Sequence, residues 1–155
     1  MGENFSAGDG FWLEAITDFE GEKFSPTLAI GDNVIISFWG HIAAVNHLEI
    51  GSGTLIGSKV IITDHNHGSY GSELHSSPDI PPAHRFLSRG RVVIGKNVWI
   101  GDGVVVAPGS EIGDGSIIGA NAVVIGRIPS YTIAAGVPAR PIKRYDFDKQ
   151  EWVRI

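Results

Sequence analysis

The chain has 155 residues, the size of one domain with small additions, and a formal net charge of −5. This charge argues against a general nucleic-acid surface, and the absence of cysteine excludes disulfides, thiolate metal sites and a cysteine nucleophile. The chain has no apolar run of about 18 residues and no basic-then-apolar leader. We therefore expect a cytoplasmic protein without membrane insertion.

Residues 1–27 show no repeat and are rich in aromatic and acidic side chains. Repeat folds need a cap over their open end, because the last turn otherwise exposes its core. We predict that this segment is such an N-terminal cap.

A repeat of six residues follows and is clearest from Ile94 to Val124. A branched apolar residue begins each block, glycine or alanine comes next, and a small or β-branched residue stands four places after the first. Such repeats form solenoids, in which three blocks make one triangular coil of about 18 residues. We predict that the first residue points inward and that the glycine turns the corner, where a Cβ would clash or φ is positive. An antiparallel sandwich would not explain this period.

The repeat is interrupted twice. The block after Ile42 begins at Ile50, eight residues later, which predicts a bulge near residues 45–48. Bulges often lie beside functional sites. The repeat then stops at Asp64 and resumes near Val92, which predicts a protruding loop over about 64–91 that re-enters the coil in register.

The last coil ends in prolines, and residues 142–155 are predicted to form a tail that packs outside as a short helix or strand. The predicted division is therefore a cap at 1–27, a β-helix at 28–141 with its inserted loop, and a tail at 142–155. Between Asp114 and Asp146 there is no acidic residue but several basic ones. This stretch is either an incidental solvated face or a site for a phosphorylated ligand.

Four histidines lie close to the interruptions: His41 and His47 near the bulge, His65 and His67 at the start of the loop. The two interruptions belong to neighbouring coils, so they are expected on one edge. A histidine there suits general base catalysis near neutral pH. The rival interpretation is a metal site, since His65 and His67 share a strand face.

The repeats, Asp-His-Asn-His-Gly at 64–68, the segment 93–101 and Ala-Ala-Gly-Val-Pro-Ala-Arg at 134–140 resemble the hexapeptide-repeat acyltransferases. The resemblance covers about residues 28–145 and is greatest to the maltose/galactoside and polysaccharide O-acetyltransferase branch. It implies an all-β, left-handed parallel β-helix and a homotrimer with active sites in clefts. It also implies acetyl-CoA as donor and no required metal.

By this resemblance His65 is the base that takes the proton of the acceptor hydroxyl, and His67 is the reserve candidate. Asp64, Asn66 or a carbonyl would orient the imidazole. The residues implied for acceptor binding are Trp39, His41, Asn46 and Arg85, and those implied for CoA are Trp99, Gly101, Gly119, Ala120, Arg140 and Lys143.

The sequence thus predicts an O-acetyltransferase acting on a sugar or glycan precursor of the O-antigen or capsule type. N-acetylation of an amino sugar and modification of an antibiotic stay open as alternatives. A γ-class carbonic anhydrase fits less well, because the His-x4-His ligand pair of that class is absent. A non-catalytic scaffold is the remaining alternative.

Overall fold

The structure is a computed structural model that describes residues 1–71 and 74–155; residues 72 and 73, inside the predicted loop, lie outside the described residues. In the described part, β-strands make up the whole regular structure except for a 3₁₀ helix at Pro82–His84. Parallel sheets form three sides, and the chain is a left-handed parallel β-helix, as predicted. No helix in the part of the chain described is long and apolar enough to cross a membrane.

The strands are short because each crosses only one side of the triangular coil. In chain order they are β1 (Ser6–Ala7), β2 (Trp12–Ala15), β3 (Asp18–Phe19), β4 (Glu22–Lys23), β5 (Thr27–Ile30), β6 (Ile35–Ile36), β7 (His41–Ala44), β8 (His47–Ile50), β9 (Leu55–Ile56), β10 (Ile61–Thr63), β11 (His65–His67), β12 (Leu87–Arg89), β13 (Arg91–Ile94), β14 (Trp99–Ile100), β15 (Val105–Val106), β16 (Glu111–Ile112), β17 (Ile117–Ile118), β18 (Val123–Val124), β19 (Arg127–Ile128), β20 (Thr132–Ala135), β21 (Arg140–Asp146) and β22 (Glu151–Arg154).

We name the three sides by their strands. Side 1 contains β1, β6, β9, β14, β17 and β20, followed by the antiparallel strands β21 and β22. Side 2 contains β2, β7, β10, β15 and β18, and side 3 contains β5, β8, β13, β16 and β19. The chain passes from side 3 to side 1 to side 2 in each coil, so every corner recurs one coil later.

The core consists of columns of identical or similar side chains from successive coils. On side 1, Ile36 pairs with Ile56, which in turn pairs with Ile100 and then Ile118. All four are at most 2% exposed. Burying one such side chain stabilises the fold by roughly 1.5–3 kcal/mol. The column therefore confirms the inward direction predicted for the first residue of each block.

The glycines of the repeat are needed for close approach between coils. A Cβ on Gly51 would lie 2.5 Å from the carbonyl carbon of Gly95 in the next coil. Positive φ occurs two places later in the block instead, as at Asn97 (φ 54°) and Gly103 (φ 67°). Of the two causes considered for the second-place glycine, the structure thus supports the steric one.

The inserted loop, which we call the arm, begins after β10 and ends before β13. Strands β11 and β12 form an antiparallel ribbon at its base. The N–H of Gly90 donates to the carbonyl of Asp64 at 2.6 Å, so the two ends of the arm meet. Val92 pairs with Leu48 directly afterwards. The predicted re-entry in register is therefore confirmed.

The chain termini extend the coil differently. Strands β1 and β2 pair in parallel with β6 and β7, so part of the segment 1–27 adds strands to sides 1 and 2. The hairpin β3–β4 folds back towards the arm, where Phe19 contacts His67. At the other end, β21 and β22 extend side 1 as an antiparallel hairpin, so the tail is strand and not helix.

Candidate active site

The first interruption of the repeat forms a cradle for one carboxylate, by which we mean the backbone N–H groups of residues 45–47. Asp64 accepts the backbone N–H of Val45 on Oδ1 at 2.9 Å. Its Oδ2 accepts the N–H groups of Asn46 and His47, each at 2.8 Å. Asp64 is fully buried. The additional residues after Ala44 thus present three backbone N–H donors to Asp64, the first residue of the arm in the next coil.

His65 directly follows this carboxylate in the chain and contacts it. Its Nδ1 lies 3.1 Å from Asp64 Oδ1 and 3.0 Å from Thr63 Oγ1. The side chain is only 11% exposed. The ring is therefore held on one edge by two oxygens.

This arrangement selects one tautomer of the imidazole. An ionised carboxylate only accepts hydrogen bonds, so the Nδ1 beside Asp64 must carry the proton. The lone pair is then on Nε2 of His65, which is the form a general base requires. The site can accept a proton from a hydroxyl presented to Nε2.

The pKa of Asp64 favours the ionised carboxylate. Burial opposes ionisation, but the hydrogen bonds with His65 and with the N–H groups of the cradle outweigh it, so the pKa lies below its ordinary value of 3.8. Asp64 is therefore charged at neutral pH and available to stabilise a protonated His65.

His67, the reserve base, is placed differently. It is exposed at the other end of β11, and its ring packs edge-on against Phe19 with 5.2 Å between ring centroids. Its carbonyl accepts the hydroxyl of Tyr70. Among the described residues no carboxylate contacts the His67 ring, so of the two candidate bases His65 is the one with a carboxylate that orients it.

The residues predicted for acceptor binding lie in three regions: the cradle, the start of side 2 and the arm. Asn46 lies at the cradle and donates to the carbonyl of Gly90 at 2.9 Å. His41 lies on the outer surface of side 2, stacked on Trp12 at 4.6 Å, and its buried Nε2 has no partner among the described residues. Trp39 is 64% exposed at a corner.

Arg85, the fourth predicted acceptor residue, is occupied within the arm. Its Nε donates to the carbonyl of Ile80 at 2.8 Å and its Nη1 to the hydroxyl of Tyr70 at 2.7 Å. Its Nη2 lies 3.4 Å from the carbonyl of Pro78. In this structure Arg85 therefore organises the arm itself.

The residues predicted for CoA lie along side 1 and its corner with side 2. Gly101 and Ala120 stack at this corner, since a Cβ on Gly101 would lie 2.7 Å from the N of Ala120. Gly119 packs in the same way on Ala135 of the next coil. The exposed Trp99 begins a row on the outer surface of side 1.

That outer row is apolar and ends on two cations. Trp99 pairs with Ile117, Ile117 with Ile133, and Ile133 with Lys143. Lys143 pairs in turn with Arg154. Directly opposed like charges destabilise a sheet unless an anion lies between them. Neither cation takes part in the ion pairs of the described chain, and both line a cavity of about 390 Å³.

Arg140 lies on the same strand as Lys143 but is exposed, and its Nη1 donates to the neighbouring carbonyl of Ala139 at 3.3 Å. The sequence missed two residues that the structure adds, Thr63 and Arg154. Thr63 precedes the Asp-His pair and could have been noted there. Arg154 lies beyond the repeat, where no sequence signal marks it.

Metal chemistry was the rival interpretation of the histidines. In residues 1–71 and 74–155 no group of three His, Cys, Asp or Glu side chains is arranged to hold a metal ion. His65 instead contacts the carboxylate of Asp64, His67 the ring of Phe19 and His41 the ring of Trp12.

Comparisons with known proteins agree with this geometry. The family model "Bacterial transferase hexapeptide (six repeats)" matches residues 91–126. The putative lipopolysaccharide biosynthesis O-acetyl transferase WbbJ of Escherichia coli (strain K12) is 47% identical over 153 residues, which are 98% of this chain and 74% of that protein.

Solved structures show the same architecture. A galactoside acetyltransferase in complex with coenzyme A is 28% identical with a TM-score of 0.59, over 95% of this chain and 68% of that one. The hexapeptide-repeat acetyltransferase VCA0836 of Vibrio cholerae O1 biovar eltor, complexed with acetyl coenzyme A, has a TM-score of 0.65 at 22% identity. That match covers 94% of this chain and 70% of the other, and it shows likeness of fold alone.

Proposed function

Because the chain belongs to the bacterial hexapeptide transferase family and is an acetyl-CoA-dependent O-acetyltransferase, we propose that it acetylates a sugar hydroxyl of a lipopolysaccharide precursor, with His65 as general base. The acceptor class rests on the 47% identity to a putative lipopolysaccharide biosynthesis O-acetyl transferase. The observation that carries the role of His65 is the contact between its Nδ1 and Asp64 Oδ1 at 3.1 Å.

In the proposed reaction His65 Nε2 takes the proton of the acceptor hydroxyl as that oxygen attacks the thioester carbonyl supplied by acetyl-CoA. Asp64 holds Nδ1–H throughout and stabilises the imidazolium that forms. His65 then returns the proton to the departing thiolate sulfur, which leaves as the thiol. Orienting the hydroxyl and the base in one site supplies much of the rate.

The outer row of side 1, from Trp99 to Lys143 and Arg154, fits the donor acetyl-CoA, and we call it the donor row. The apolar side chains Trp99, Ile117 and Ile133 offer a surface to a pantetheine chain, and Lys143 with Arg154 offers charge to phosphates. Arg140 adds a third cation on the same strand. The opposed pair Lys143 and Arg154 supports this assignment, because a bound phosphate would relieve their repulsion.

The positions of donor row and base favour an oligomer. His65 follows side 2, at the corner opposite side 1, so one copy does not bring its own donor row to its own base. A homotrimer in which side 1 of one copy faces side 2 of the next would bring them together. The outer surfaces support this: exposed apolar residues such as Leu55 and Ile61 lie on sides 1 and 2, whereas side 3 carries the ion pairs Glu49–Arg91 and Glu111–Arg127.

We further propose that the enzyme works in the cytoplasm, where acetyl-CoA is available, and that residues 28–141 with the arm carry the catalytic unit. In this proposal the segment 1–27 covers one end of the coil, and the tail at 142–155 supplies Lys143 and Arg154 to the donor row. The acceptor would enter between the arm and the surface formed by the half-buried His41 and the exposed Trp39.

The direct test measures thiol release from acetyl-CoA with a panel of nucleotide-linked sugars, lipid-linked oligosaccharides and matching amino sugars. Release that requires a hydroxyl acceptor, with an acetyl ester in the product, would support the proposal. Release only with the amino sugars would replace it by N-acetylation. Mass spectrometry of the product before and after treatment with mild alkali distinguishes the two, because alkali removes an acetyl group bound as an ester and leaves one bound as an amide.

A further inference from the structure

The ribbon that carries His65 has a second functional position directly opposite the base. In the antiparallel pair of β11 and β12, His65 faces Arg89 and His67 faces Leu87. Residues opposite each other or two apart project from the same face of such a ribbon. His65, Arg89, His67 and Leu87 therefore share one face.

That face packs against the N-terminal hairpin β3–β4 and the residues beside it. Leu87 is 3% exposed in a cluster with Phe24 and Val45. His67 contacts the ring of Phe19 edge-on. The hairpin thus covers the same face of the arm from which the base projects.

Arg89 joins the ribbon to the hairpin in two ways at once. Its Nη2 lies 2.9 Å from Glu22 Oε1, and its guanidinium carbon lies 5.2 Å from the centroid of the Phe24 ring. A planar guanidinium can stack on a ring and bind a carboxylate together, which an ammonium group does less well. The hairpin therefore fixes both the distance and the orientation of the strand opposite His65.

The contribution of Arg89 to the stability of the fold can be separated from its part in placing the arm. Its side chain is 47% exposed and that of Glu22 is 42% exposed. An ion pair this exposed contributes little to stability. Leu87 and Phe24 are the buried residues of this contact, so loss of the Arg89 charge should leave the arm folded but less precisely held.

We propose that Arg89 is a positioning residue of the transfer reaction, which acts through Glu22 and Phe24 to hold the His65 strand against the hairpin. The inference rests on the proposed function for the identity of the base. A base displaced by about 1 Å can lose up to about 10²-fold in rate, so a partial loosening should cost about tenfold in kcat.

The test compares Arg89→Gln, Arg89→Lys, Glu22→Gln and the double variant Glu22→Gln/Arg89→Gln. The matched control is Arg91→Gln, since Arg91 is a nearby exposed arginine that pairs with Glu49 at 3.7 Å on side 3. Arg89→Gln should lower kcat about tenfold with an unchanged KM for acetyl-CoA and a nearly unchanged melting temperature. Arg89→Lys should recover part of the loss, and the double variant should be no worse than Arg89→Gln.

Three outcomes would overturn the inference. They are an unchanged kcat in Arg89→Gln, an equal fall in kcat in Arg89→Gln and in the control, or an effect of Arg89→Gln that is confined to a higher KM for the acceptor. Amide hydrogen exchange supplies a readout that needs no turnover. The amides of His65–His67 should exchange about tenfold faster in Arg89→Gln than in Arg91→Gln, and equal exchange would refute the positioning role. If Arg89→Gln speeds exchange relative to Arg91→Gln but the wild type transfers no acetyl group, the proposed function fails while the positioning of the His65 strand by Arg89 stands.

Discussion

Asp64 and His65 are adjacent in sequence, and their side chains form one unit in which Oδ1 and Nδ1 lie 3.1 Å apart. The same carboxylate accepts the backbone N–H groups of the neighbouring coil at residues 45–47. The His65 ring, the proposed base, is therefore oriented by the coil itself and not by the arm alone, and this has measurable consequences.

The first prediction concerns the base. His65→Ala should lower the rate of acceptor-dependent thiol release by about 10²-fold or more, the scale expected when a general base is lost. His67→Ala is the matched control and should keep most of the activity, because the contacts of His67 are with Phe19 and Tyr70. Equal losses in both variants, at unchanged melting temperatures, would assign the base to neither residue alone.

The second prediction concerns Asp64 and pH. Its pKa is lower in the folded chain than the ordinary 3.8, so the carboxylate stabilises the fold above that pH, and the contribution is lost as pH falls through the folded pKa. Asp64→Asn should be less stable than wild type at pH 7 by about 2–3 kcal/mol, because an amide nitrogen would face a backbone donor. Urea unfolding at a fixed protein concentration should show this difference shrink in acid solution. A difference that is constant with pH would contradict the charged state of Asp64.

The third prediction concerns the donor row. Lys143→Ala combined with Arg154→Ala should raise the KM for acetyl-CoA about tenfold and leave the KM for the acceptor unchanged, because both cations line one cavity at the end of the row. Arg127→Ala, which removes an exposed arginine from side 3, serves as control. Initial-rate kinetics with dephospho-CoA thioesters would show which phosphate is bound. An equal rise in both KM values would argue against phosphate recognition.

The fourth prediction concerns assembly. Sedimentation equilibrium of the wild type should give about three times the chain mass of 16.5 kDa. Leu55→Arg places a charge on the apolar outer surface of side 1 and should shift the mass towards the single chain. Val93→Arg makes the same change on the charged side 3 and should leave the mass unchanged. A wild type that sediments as a single chain would remove the shared cleft from the proposed mechanism.

The repeat was readable from sequence because its signal is local. The spacing of apolar residues places Ile100 and Ile118, which are three blocks apart, in one column without knowledge of any distant contact. The re-entry of the arm before Val92 followed from the same spacing. The sequence placed the two interruptions on one edge, but it did not show that the backbone N–H groups of residues 45–47 point at Asp64, because these residues lie outside the period.

The tail shows the same limit. Its sequence allowed helix or strand, and the choice is made by the open edge of β20, with which Lys143 and Arg144 pair. The position of Arg154 depends on a second pairing, with Lys143. Residues that lie outside the period are placed by tertiary contacts, so their part in a donor site could not be predicted from spacing.

The single hydrogen bond between Gly90 N–H and the Asp64 carbonyl, 2.6 Å long, has a consequence for how such enzymes diversify. A segment that departs from and returns to the same point can be exchanged or resized without changing the course of the strand that follows. Exchange of the arm at this junction would replace His65 and Arg85 together, while Trp39, His41 and the outer row of side 1 would be kept. If the proposed acceptor entry is right, replacement of this one contiguous segment is the expected route by which the scaffold takes a new acceptor.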